Sequence, residues 1–132
     1  MQASQIYPLT LAEPHRNATS ASVQIERIEG DQRLLAVRFE GLAPPEQWGA
    51  ECTAFVAWAQ DSHGRTVKVG SLSYDRPRRS ARLLGAVRAA RHGEHAEGID
   101  FRAFAVRVTA EREAGVMVPS QVLVGEGRVM NQ

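Results

Sequence analysis

Phe104-Ala105-Val106-Arg107-Val108-Thr109-Ala110-Glu111 is the stretch that decides the fold. Phe104, Val106, Val108 and Ala110 alternate with Ala105, Arg107, Thr109 and Glu111, a period of two that sends one set to a core and the other away from it. A helix would need apolar residues three and four apart. The stretch is therefore a strand, and a half-buried one.

Working outward, the same chemistry recurs between turn signals at fairly even intervals, the pattern of a sandwich or barrel rather than of βαβ units. Ala21 to Ile28 carries Val23 and Ile25 on one face and stops at Glu29-Gly30-Asp31. Leu35, Val37 and Phe39 alternate with Ala36, Arg38 and Glu40 as far as Gly41, and this first pair is expected to form a hairpin. Cys52 to Gln60 is apolar nearly throughout, as a central strand covered on both faces would be. Asp61-Ser62-His63-Gly64 then makes a turn into a second hairpin over Thr66 to Tyr74. A closing strand is expected around Gln121 to Val124, after Pro119.

Ser80 to Arg91 is ambiguous, because Leu83, Leu84, Val87 and Ala90 have helical spacing while Gly85 suits a short strand. Strand is the preferred reading. Residues 91 to 100 are expected as a polar loop. Residues 1 to 17 contain Pro8 and Pro14 with no sustained period and are expected as an extended N-terminal arm, with residues 18 to 132 as one domain. The expected fold is all-β: an immunoglobulin-like antiparallel β-sandwich of about seven strands.

Composition is that of a folded globular chain. The 132 residues suit one domain, with 43% hydrophobic and 23% charged residues. Sixteen basic and fifteen acidic side chains leave a net charge of +1, so no global field favours nucleic acid or an anionic membrane. The N-terminus lacks the apolar h-region of a secretory signal, and no apolar run approaches the roughly 20 residues of a membrane helix. As it stands the sequence implies a cytoplasmic protein, or an extracytoplasmic one if a leader or anchor has been removed.

Several elements, in this order along the chain, resemble a known family: Phe55-Val56-Ala57-Trp58, Asp61 to Gly64, Gly70-Ser71-Leu72, Phe104 to Glu111, Pro119-Ser120 and Val122-Leu123-Val124. The run from about Ala21 to Val129 resembles the C-terminal extracytoplasmic β-sandwich of bacterial anti-sigma-K-type anti-sigma factors. The resemblance implies a sandwich fold and a sensory or regulatory role, with no catalytic residues to carry over. Such factors also have a sigma-binding helical segment and a membrane helix. This chain contains neither, so sigma binding is not implied.

Each candidate chemical group has a structural reading beside it. His92, Glu94 and His95 are types that could ligate a zinc-like ion, but their spacing fits no standard ligand motif and a polar loop accounts for them, so neither a metal nor a cofactor is expected. His63 fits a solvated turn. Cys52, the single cysteine, can form no internal disulfide and fits a small buried hydrophobe better than a nucleophile. Glu111 and Glu113 could serve as an acid/base pair, although Glu111 sits where an outward strand-end charge would sit. No nucleophile-elbow, Walker or dinucleotide glycine pattern occurs, and the chain is expected not to be an enzyme.

The arginines Arg76, Arg78, Arg79, Arg82, Arg88 and Arg91 could contact phosphates or an acidic protein surface through forked guanidinium donors, or form a solvated face or protect a sheet edge. Base-stacking aromatics are missing from that stretch, which disfavours nucleic acid. Trp48, after Pro44-Pro45, could anchor a partner, whereas Trp58 is expected in the core. The leading expectation is a non-enzymatic protein-binding or regulatory module using Arg78, Arg79, Arg82 and Trp48. Its partner is another protein or a second copy, joined through the N-terminal arm or a sheet edge. The alternative is a small-ligand or carbohydrate-binding sandwich using Trp48 and the 91 to 100 loop.

Overall fold

In a computed structural model, which describes residues 5–11, 20–27, 32–89 and 98–130, the chain forms two antiparallel β-sheets packed face to face. The strands are β1 (Gln5–Pro8), β2 (Thr10–Leu11), β3 (Ser20–Arg27), β4 (Gln32–Glu40), β5 (Ala54–Asp61), β6 (Thr66–Ser71), β7 (Ser73–Asp75), β8 (Ser80–Arg88), β9 (Ala103–Glu111) and β10 (Leu123–Met130). The first sheet has the order β1-β3-β4-β8-β7 and the second β2-β10-β9-β5-β6. With β3, β4, β7 and β8 as strands A, B, D and E, the first sheet contains the immunoglobulin order A-B-E-D. With β5, β6, β9 and β10 as C, C′, F and G, the second runs G-F-C-C′. The two added strands, β1 and β2, come from the N-terminal segment.

Alternation built this arrangement. Val23, Val37 and Leu83 lie in register across β3, β4 and β8, as do Ala21, Phe39, Ala81 and Tyr74 through β7. Opposite them, Ala57 and Val108 pair on β5 and β9, and Ala59 pairs with Val106. These inward sets form the core, with Phe39, Phe55, Leu35, Leu42 and Ile99 fully buried. Burying each side chain of that size contributes about 1.5–3 kcal/mol.

Two sequence expectations change. The N-terminal segment is extended as expected, but over residues 5–11 it belongs to the sandwich: β1 pairs with β3 and β2 with β10, so the chain steps from one sheet to the other at Leu9. Leu9 is buried, and its N–H donates to Ala21 O. Gly127 makes this crossing feasible, because a Cβ there would stand 2.7 Å from Pro8 O and from Leu9 Cδ2. The closing strand starts at Leu123 and continues to Met130, beyond the expected Val124. Gly125 and Gly127 weaken its β signature in sequence while admitting the neighbouring chain.

The segment from Ser80 is a strand as far as Arg88. Its helical look came from Leu84, an apolar residue on the outward face beside the inward Leu83 and Val87. On the opposite side from Leu9, the chain switches sheets again at Leu72, between β6 and β7. Gly85 lets β6 approach there, since a Cβ would meet Val69 O at 2.8 Å. Among the described residues no helix is long and apolar enough to cross a membrane.

Candidate binding face

The outward sides of the two sheets differ. On the second sheet, Val56 and Trp58 of β5 point away from the inter-sheet core, opposite Thr109 and Arg107 of β9, yet Trp58 is only 2% exposed. Trp58 is thus buried, as expected, but on the outer side of a sheet rather than between sheets. The β9–β10 connection folds back over it. Trp58 Nε1 donates to Thr109 Oγ1 (2.9 Å), the Thr109 hydroxyl donates to Glu111 Oε2 (2.5 Å), and Ser120 N–H donates to the same carboxylate oxygen (2.8 Å). Lys68, the register partner of Trp58 on β6, donates to Ala114 O and Val116 O of the connection.

Glu111 is accordingly not a solvated strand-end charge. It points outward from its sheet but is buried as the acceptor that holds the loop. Glu113 is exposed on the connection itself, whose tip presents Met117 (77% exposed) and Val118 (74%).

On the first sheet none of the described residues covers the outward face. Arg38 of β4 lies directly opposite Arg82 of β8, and in the next row Ala36 lies opposite Leu84. Ile6 joins this row through Gln24 of β3, which pairs with both Ile6 and Ala36. Ile6 is 67% exposed and Leu84 66%. Together these residues line a groove of about 470 Å³. Arg38 Nε stands 3.4 Å from Glu40 Oε2, both side chains being partly exposed. The Arg82 guanidinium has no hydrogen bond or ion pair among the described residues.

The remaining sequence candidates divide between the ends of the sandwich. Arg78 and Arg79 occupy the β7–β8 turn, Arg79 with a positive φ of 54° and Arg78 Nε 4.0 Å from Asp75 Oδ2. Arg76 makes a two-pronged ion pair with Glu46 (2.7 and 3.1 Å). The backbone N–H of Leu42 donates to Arg79 O, and the Tyr74 hydroxyl donates to Leu42 O. This joins the turn to the 42–48 segment, where Trp48 packs on the core and its ring N–H donates to Ala43 O. Burial raises the Tyr74 phenol pKa against the pull of the Arg79 and Arg76 guanidiniums. Trp48, Arg78 and Arg79 are therefore brought to one end, while Arg82 lies on the adjoining face. Because β8 runs between β4 and β7, Arg82 guards no sheet edge.

Arg38, Ile6 and Leu84 were not singled out from sequence. Alternation alone sets Arg38 on the polar side of its strand; its apposition to Arg82, 44 positions later, requires the register.

Cys52 is buried, as a small core residue, and burial raises its thiol pKa, with Glu111 and Glu51 adding to the effect. At the β5–β6 turn, Asp61 Oδ1 accepts from the N–H groups of His63 and Arg65, and Oδ2 from that of Asp100. Burial works against ionisation of Asp61, but these three donors outweigh it and hold its carboxyl below the usual range. His63 is exposed but engaged, with Nε2 3.1 Å from Asp100 Oδ2. Asp100 is held well below the usual carboxylate range, chiefly by the Arg102 guanidinium. His92, Glu94, His95 and Arg91 lie outside the described residues. Among the described residues no three His, Cys, Asp or Glu side chains gather as metal ligands would. Comparison with known proteins adds no family, since neither a protein-family model nor a curated protein matches this chain.

Proposed function

We propose that the chain is a non-enzymatic protein-binding module of regulatory character, and that the outer face of the first sheet is its binding surface. The observation that carries this reading is the pair of largely exposed aliphatic side chains, Leu84 and Ile6, set beside two arginines on a sheet face that none of the described residues covers. Exposed apolar side chains grouped in a groove are the usual mark of an interaction site. The resemblance to anti-sigma-factor sandwiches supports a regulatory setting. The raised thiol of Cys52 and the structural duty of Glu111 favour a non-catalytic role over nucleophilic or acid/base chemistry. Carbohydrate binding is disfavoured at this groove, because Ile6, Ala36 and Leu84 offer aliphatic bulk where a sugar ring would need an aromatic platform.

Site-directed photo-cross-linking in the source cell tests the reading. A photoreactive residue at Ala86, on the open face, is expected to trap one discrete protein, and the same group at Ser62 is expected to trap none of it. Equal labelling from both positions, or none from Ala86, overturns the assignment.

A further inference from the structure

The chemistry of the open face also specifies what kind of partner fits it. Arg38 and Arg82 are direct cross-strand partners, and like charges in that position destabilise a sheet unless an anion lies between them. Glu40 lies beside Arg38 Nε, on the side away from the groove row, and no carboxylate among the described residues pairs with Arg82. Two guanidiniums one strand spacing apart present forked donors suited to a carboxylate. The next row, Ile6-Gln24-Ala36-Leu84, is a shallow trough with an aliphatic side chain at each end and Ala36 in its floor. An ion alone would satisfy the arginines and leave the trough wet. A purely apolar segment would fill the trough and bury the Arg82 guanidinium with no carboxylate from the described residues beside it, which is costly.

We propose that this face receives an acidic, amphipathic segment of a different protein, with a carboxylate across Arg38 and Arg82 and aliphatic side chains in the trough between Ile6 and Leu84. The proposal rests on the protein-binding reading above and narrows it by charge. A second copy of the chain fits less well, because the carboxylate that the same face would bring, Glu40, already lies against Arg38.

Selection of a random 16-residue peptide library on the full chain tests it, run in parallel on Arg82→Glu and Leu84→Ser, both at solvent-exposed positions, with circular dichroism confirming the folded state. The expected result is a family of peptides combining Asp or Glu with Leu, Ile or Val. These should bind the wild-type chain about tenfold or more tighter than either variant and weaken as salt rises. Arg82→Glu should instead enrich peptides carrying Lys or Arg. Neutral or basic peptides that still require Leu84 overturn the acidic-partner proposal and leave the binding face standing. Peptides indifferent to both variants overturn the face as well. A concentration-dependent dimer in sedimentation that Leu84→Ser abolishes would assign the face to a second copy and refute the proposal.

Discussion

The two outer faces of this sandwich are solutions to one problem with opposite outcomes. Each carries bulky apolar side chains on the side of a sheet that turns away from the core. On the second sheet Trp58 and Val56 are covered by the chain's own β9–β10 connection, fastened through Glu111, Ser120 and Lys68. On the first sheet Leu84 and Ile6 stand in solvent beside two like charges. The difference teaches that apolar side chains on a sheet's outer face add to stability only where the chain itself covers them. A covered face contributes to folding, whereas apolar side chains left in solvent contribute little to it.

The sharpest way to break this comparison is to truncate one aromatic or aliphatic side chain on each face. Trp58→Ala is expected to cost about 3–5 kcal/mol, since it opens a cavity and removes the ring N–H that donates to the Thr109 hydroxyl. Leu84→Ala and Ile6→Ala are expected to stay within about 0.5 kcal/mol of wild type. Urea unfolding with matched slopes measures all three. A loss at Leu84 as large as that at Trp58 would mean that the first face is covered in the folded chain, and the binding assignment would go with it.

A smaller effect is expected from the fastening itself. Glu111→Ala leaves the Thr109 hydroxyl and the Ser120 N–H without their acceptor, at a cost of about 1–3 kcal/mol. Hydrogen exchange should then quicken at Ser120 and Val122, while the β4 and β8 amides slow or quicken only as global stability changes. Uniform acceleration through both sheets would show that the loop is not a separable cover.

Much of this was legible in the sequence, and the remainder was hidden for identifiable reasons. Alternation in Phe104–Glu111 and Leu35–Glu40 sufficed for the strands, because period two survives wherever one face is buried. Leu84 and the glycines of β10 obscured the signal for the opposite reason: one puts an apolar residue on an exposed face, the others remove side chains where chain crosses chain. The arginine run suggested protection of a sheet edge, but β8 is interior to its sheet. Arg38 escaped notice because pairing across 44 positions is a property of register, which local chemistry does not encode. Trp58 was correctly placed out of solvent, but the sequence offers no sign that its cover is a loop.

Acid sharpens the comparison further. Asp61 and Asp100 secure the end of the second sheet and are held below the ordinary carboxylate range, so their ionised forms favour the fold. The sign follows from linkage: this stability is present above the unfolded value near 4 and declines as pH falls through the depressed folded values. Asp61→Asn is therefore expected to flatten the loss of stability below pH 4, read by thermal unfolding against pH. Arg82→Gln, on the open face, should leave the slope of that profile unchanged.

The smallest expected effect concerns Arg82 itself, and its sign is what discriminates. If the cross-strand pair with Arg38 is an unrelieved repulsion in the free protein, Arg82→Gln removes it and should raise stability by about 0.2–1 kcal/mol at low ionic strength. The gain should fade in high salt, where exposed charges no longer feel one another across a strand spacing. If Arg82 instead had a structural partner, the substitution would lower stability and salt would not restore it. A residue whose removal steadies the fold while weakening peptide capture is one retained for binding rather than for folding.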